Sequence, residues 1–128
     1  MKRVTGIGGI FLKAEDPDKL YEWYEKNLGI RREPHGQGAS LYWREDVNPE
    51  RRGVTVWALF EKHSPYFEPS RAPFMVNYRV DDLDALLEAL RVDGVEIDPK
   101  REDSEYGRFA WITDPEGNKI ELWEPPKG

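Results

Sequence analysis

The sequence predicts an α+β fold in which two βαβββ modules build one curved sheet with a helix over each half. Three observations carry this. Only two segments have a helical apolar stripe. Six others have the β-branched and aromatic content of strands, several with period-two alternation. The chain also repeats its own order. Ile10 to Asp16 leads into a helix that stops at Gly29-Ile30, and Val76 to Asp82 leads into one that stops at Gly94-Val95. Each unit reads strand, acidic cap, helix, glycine stop, short strand, then two longer strands. With 128 residues the chain is expected to be a single domain, 1–128, with module one at about 5–61, a linker at 62–73 and module two at about 74–125.

Strand 5–13 opens the first module, with Gly8 and Gly9 permitting a bend or a close backbone approach. Asp16-Pro17 reads as an N-cap followed by proline at the first helical position. Leu20, Tyr24 and Leu28 then recur on one face, and Gly29 takes the left-handed stop. A short strand is expected at Arg31 to Glu33, then strands at 39–45 and 54–61. Pro65, Pro69 and Pro73 mark the linker. Strand 74–80 opens the second module, and Asp81-Asp82 caps a helix with the stripe Leu83, Leu86, Leu87 and Leu90. A short strand follows at Val95 to Ile97, and the charge run Lys100 to Glu105 reads as a solvated loop. Strands 108–113 and 119–123 close the chain around the turn Asp114-Pro115-Glu116-Gly117-Asn118.

Composition excludes several classes. A net charge of -6 argues against nucleic acid and against an anionic membrane surface as partners. No apolar run approaches the ~20 residues that span a bilayer, and the N-terminus does not read as a signal peptide. Zero cysteines exclude disulfides and thiolate chemistry and suit a cytoplasmic protein. Thr5 to Phe11 lacks the third glycine of a dinucleotide fingerprint and leads into a strand. No serine sits in a nucleophile elbow. His35 and His63 have no metal-ligand spacing and read as loop histidines.

Alternation separates the strand faces. In the last hairpin Ala110, Ile112, Ile120 and Leu122 share one face, suited to the leucine-striped helix. Phe109, Trp111, Glu121 and Trp123 share the other. The same reading puts Met75, Asn77 and Arg79 opposite Val76, Tyr78 and Val80; Gly9, Phe11 and Lys13 opposite Ile10 and Leu12; and Thr55, Trp57 and Leu59 opposite Val54, Val56 and Ala58. The aromatic face is either a small-molecule site with a few convergent polar groups or an exposed or dimer-forming surface. Glu121 stands out, since an unpaired charge in an apolar strand is costly. It either pairs with Lys13 or Arg79 across the sheet or acts as metal ligand, general base or anchor for a cationic ligand.

The repeat and the segment Tyr106 to Trp123, above all Asp114-Pro115-Glu116-Gly117-Asn118 with Ile120-Glu121-Leu122, resemble the vicinal oxygen chelate superfamily of glyoxalase I, bleomycin-resistance proteins and extradiol dioxygenases. The resemblance spans roughly residues 5 to 125. It implies a curved mixed sheet around a cavity, helices on the outer face, and a homodimer. It also implies four metal-ligand positions: Glu121, and positions on or near Gly9, Trp57 and Met75. Only Glu121 is a plausible ligand there. The expectation is therefore a small-molecule-binding protein without the usual metal or another cofactor. Phe11, Trp57, Met75, Asn77, Arg79, Phe109, Trp111 and Trp123 would line its cavity around an aromatic or cationic ligand, with Glu121 meeting the charge. A divalent metal would enter only if His35 or His63 reached the site from a loop or a partner chain. The alternative is a glyoxalase-like lyase or isomerase using Glu121 as base or metal ligand, with Arg79 or Lys13 at an oxyanion. A third reading is a dimeric scaffold whose cavity is filled by its own aromatics.

Overall fold

Each helix starts and stops where its side chains supply what the backbone lacks. The computed structural model describes residues 3–34, 38–45 and 48–127. Helix α1 (Pro17–Leu28) opens with Asp16 Oδ1 accepting from the Lys19 N–H at 3.2 Å. It closes at Gly29, whose φ of 69° is the left-handed stop. Helix α2 (Leu83–Val92) repeats the device, with Asp82 Oδ1 accepting from Ala85 N–H at 3.0 Å. Glu124 Oε1 accepts from the Leu83 N–H at 2.8 Å, so the last strand ties down this helix end.

The strands are β1 (Val4–Ala14), β2 (Ala39–Arg44), β3 (Arg52–Glu61), β4 (Phe74–Val80), β5 (Glu96–Ser104), β6 (Gly107–Thr113) and β7 (Lys119–Glu124). They form one open mixed sheet in the order β2-β3-β1-β4-β7-β6-β5. The pairs β1–β3 and β4–β7 are parallel, and the halves meet through antiparallel β1–β4. Both helices cover one side. Under α1, Tyr21 is buried and its hydroxyl accepts from the Leu59 N–H at 2.8 Å. Leu28, expected on the buried stripe, is 61% exposed, and Tyr21 has taken the inward position. Under α2, Leu83 and Leu86 pack on Val80, Ala110 and Leu122. None of the helices among the described residues is long and apolar enough to cross a membrane.

Four further expectations are corrected or extended. Residues 31–33 form no strand. The run from Lys100 to Ser104 is not a loop: it belongs to β5, an edge strand whose charged side chains stay exposed. Trp57 does not face the cavity. Parallel pairing sets Ile10 beside Trp57 and Phe11 beside Ala58, so Trp57 and Leu59 lie under α1, and Val56 and Ala58 join Phe11 on the concave side. Both faces of β3 are apolar, so its own alternation carried no information about which was which. Finally, the segment 62–73 is more than a connection. Its short 3-10 turn, Pro65–Phe67, lays Tyr66 and Phe67 across the concave face, and Phe67 is 0% exposed against Phe11, Ala58, Met75 and Trp111. His35 falls outside the described residues.

Phe67→Ala should therefore destabilise the fold as a core truncation does, by about 3–5 kcal/mol in urea unfolding. A loss below about 1 kcal/mol, the range of ordinary surface changes, would mean that this strap is not part of the core.

Candidate functional site

Strand registers place five residues in one row across the concave face. Val56 pairs with Gly9, Gly9 with Asn77, Asn77 with Glu121, and Glu121 with Trp111. Glu121 is 2% exposed, and the row explains how a carboxylate persists there. Its Oε1 accepts from Asn77 Nδ2 at 2.6 Å, and its Oε2 accepts from Trp111 Nε1 at 3.0 Å and from the Tyr66 hydroxyl. Three donors from β4, β6 and the strap thus replace its water shell. Neither Lys13 nor Arg79 pairs with it, which removes the ion-pair alternative that the sequence left open. The Lys13 ammonium lies over the Phe67 ring. Arg79 is buried at the other end of its strand, where it pairs with Glu45, donates to Thr5 Oγ1 at 2.7 Å and to the Arg52 carbonyl at 3.1 Å, and stacks over Trp43.

Glu121 and Asn77 open into a cavity of about 430 Å³, whose lining is mostly apolar and includes Gly8, Phe11, Val56, Phe109 and Trp123. Trp123 stacks on Phe109 with centroids 6.3 Å apart and ring planes at 14°, and its Nε1 donates to the Tyr106 carbonyl at 2.8 Å. Tyr42 and Tyr106 complete the walls, with Glu105 among the lining residues. A larger hollow of about 570 Å³ runs past Asp103, Arg108 and Lys127. It is polar and holds no buried carboxylate, so the apolar cavity is the better site.

Of the residues expected to line the cavity, Phe11, Asn77, Phe109, Trp123 and Glu121 do so. Trp111 and Met75 face the same side but lie buried beneath the strap, where Trp111 acts through its bond to Glu121. Trp57 and Arg79 do not reach the cavity. His63 is exposed and lines a separate hollow with Lys13, Lys62 and Arg71. The concave face is half filled and half open. The strap covers the Met75–Trp111 half, which separates the molecule from a scaffold plugged throughout by its own aromatics.

Tyr66 was missed. Its only sequence signal is an aromatic pair, Tyr66-Phe67, set between prolines in an otherwise polar segment. Burial, followed by the negative charge of Glu121, pushes its phenol well above the ordinary value, so it stays a donor at any physiological pH. Lys119 donates to the Tyr66 carbonyl at 2.8 Å and sits over the Tyr66 and Trp111 rings. Burial holds its ammonium below the usual lysine range.

The family model for the Glyoxalase/Bleomycin resistance protein/Dioxygenase superfamily matches residues 6–122, and the chain belongs to that superfamily. No curated protein matches the sequence. Among solved structures, methylmalonyl-CoA epimerase from Mycobacterium tuberculosis is similar at 23% identity and a TM-score of 0.63, over 99% of this chain and 92% of that one. A variant of the Streptomyces coelicolor methylmalonyl-CoA epimerase, in complex with 2-nitronate-propionyl-CoA, is similar at 19% identity and a TM-score of 0.68, over 97% and 99%. A chain described as NAD-dependent benzaldehyde dehydrogenase from Legionella pneumophila is similar at 13% identity and a TM-score of 0.60, over 92% and 98%. At these identities the likeness is one of fold.

Members of this superfamily often bind a divalent metal, and the residues of the row do not fit one. Gly9 and Val56 offer no ligand atom, which leaves at most one carboxylate oxygen of Glu121 and the amide oxygen of Asn77 where a tightly held divalent ion needs about four ligands. The expected ligand positions also shift. Val56 and Asn77, not Trp57 and Met75, stand in register with Gly9 and Glu121. Among the described residues no three His, Cys, Asp or Glu side chains gather to hold a metal.

The raised Tyr66 value gives a measurable sign. The folded state holds the phenolic proton more tightly than the unfolded chain does. The resulting stability is complete below the unfolded phenol value of about 10 and declines as pH rises above it. In an alkaline titration followed by tyrosinate absorbance, Tyr66→Phe should match the wild type until unfolding begins, because Tyr66 contributes no signal. An amplitude smaller by one of the six tyrosines would show that Tyr66 ionises normally.

Proposed function

We propose that this protein binds a small aromatic cation in the cavity above Glu121, without a metal. The observation that carries this is a buried carboxylate opening into an aromatic, apolar cavity. None of the ion pairs among the described residues involves it. Its three hydrogen bonds come from neutral donors, and the Lys119 ammonium, which feels its charge, makes no ion pair with it, so a ligand cation meets negative charge in a poorly hydrated setting. Phe11, Phe109 and Trp123 supply the apolar contact that holds a ring. Asn77 sets the orientation of the Glu121 carboxylate, and Trp111 and Tyr66 fix its other oxygen.

A homodimer belongs to this proposal. The open sheet leaves the cavity uncovered on one side, where Tyr42 is 79% exposed on its wall. Light scattering should give twice the mass of one chain, and a monomer would remove a second copy from the account.

A second reading, an isomerase or lyase with Glu121 as general base, draws support from the epimerases among the similar folds and from the acceptor site that Oε1 keeps free. It lacks the expected oxyanion groups, since Arg79 is engaged elsewhere and Lys13 does not line the cavity. Unchanged turnover of an identified substrate by Glu121→Gln would end it.

Aromatic cations should quench the tryptophan fluorescence saturably, and Glu121→Gln should weaken that binding about tenfold or more, the scale of a hydrogen bond to a charged group. A neutral aromatic of the same shape should bind the two proteins alike. Equal weakening of both ligands would place the effect of Glu121 on packing instead of charge. Zn(II) titrated into untagged protein should bind no tighter than millimolar. A stoichiometric complex would mean that His35 or a partner chain completes a metal site.

A further inference from the structure

The unfilled hydrogen-bonding capacity at the floor of the cavity lies on acceptor atoms. Asn77 is 3% exposed, and its Oδ1 is the one buried side-chain polar atom among the described residues that lacks a hydrogen-bond partner. Its amide cannot simply reverse, because that would turn Oδ1 toward Glu121 Oε1 and set two acceptors face to face. Glu121 has about four acceptor sites on its two oxygens, and three are taken, leaving one on Oε1. The two unfilled sites belong to neighbouring strand positions in register, Asn77 on β4 and Glu121 on β7.

Gly8 packs directly on Oδ1, which has almost no exposed surface, so a ligand donor reaches it only with a small displacement at the cavity floor. A Cβ at this position would stand 2.3 Å from Asn77 Oδ1 and 2.7 Å from Trp123 Cε3. Gly8, Asn77, Glu121 and Trp123 all line the same cavity. A buried acceptor with no donor is unfavourable, and a ligand supplying the donor removes that penalty.

We infer that the cavity selects aromatic ligands carrying a primary ammonium group, whose N–H donors reach Asn77 Oδ1 and Glu121 Oε1 together, over quaternary ammonium ligands of equal charge. This rests on the proposal that the cavity binds an aromatic cation. A quaternary ion has no N–H and leaves both acceptors unfilled. Sites for quaternary ions surround the charge with ring faces. Here the Phe109 and Trp123 rings stack on each other instead of forming a box.

The test uses the full chain and three probes of one shape: naphthylethylamine, its N,N,N-trimethylammonium analogue and the corresponding alcohol, titrated by calorimetry at neutral pH. The amine should bind at least about tenfold tighter than either of the others. In Gly8→Ala, where a methyl group 2.3 Å from Oδ1 forces the Asn77 amide out of its position, that margin should collapse. A trimethylammonium probe that binds the wild type as tightly as the amine would overturn the selectivity and leave the cation site standing. If the alcohol bound as tightly as both cations, the cation site itself would fall. Absence of binding by all three up to millimolar concentration would overturn the cavity proposal and the selectivity with it.

Discussion

A carboxylate almost wholly removed from water persists only if its oxygens are filled with donors, and Glu121 sets that requirement for the whole concave face. Its donors come from the strap, from β4 and from β6, segments far apart in sequence. Each brings its neighbours along. Tyr66 places Phe67 on the core, Trp111 closes the strap's half of the face, and Asn77 faces the cavity. Removing the carboxylate would strand three donors, and removing one donor would leave a charge short of a partner. The site and the packing of this half-sheet are therefore one construction.

The rest of the concave face depends on side chains that are missing. Gly6 and Gly53 leave room for the Trp43 ring, which would press within 2.3 Å of a Cβ at either position. Trp43 in turn covers Arg79, whose buried pairing with Glu45 closes the end of the sheet away from the cavity. Gly8 does the same for Asn77 and Trp123. Glycines that looked like a broken nucleotide motif are thus positions where an aromatic ring or an amide lies directly on the strand.

Much of the fold was legible because local rules act on neighbouring residues. Asp16 and Asp82 cap their helices as residues of that kind do, Gly29 and Gly94 stop them, and the Asp114–Asn118 turn sets Trp111 opposite Glu121. The faces of β1, β4, β6 and β7 followed from alternation, since each has one face suited to a leucine stripe. β3 did not follow, because both its faces are apolar and only its parallel register with β1 turns Trp57 under α1. The charge run in β5 was misread because an exposed edge strand and a solvated loop have similar compositions.

By itself the sequence determined the two helices, the order of most strands around them, the isolation of Glu121 among apolar residues and, through its closing motif, the superfamily. These are properties of short stretches, decided by caps, periodicity and turn chemistry. Only the tertiary structure decided that Tyr66 bonds to Glu121, that Arg79 is committed to Glu45, that Trp57 lies outside the cavity, and that Asn77 keeps an unfilled acceptor there. Each of these depends on register between distant strands or on a segment with no periodicity, and a hydrogen bond between residues 55 positions apart leaves no local trace.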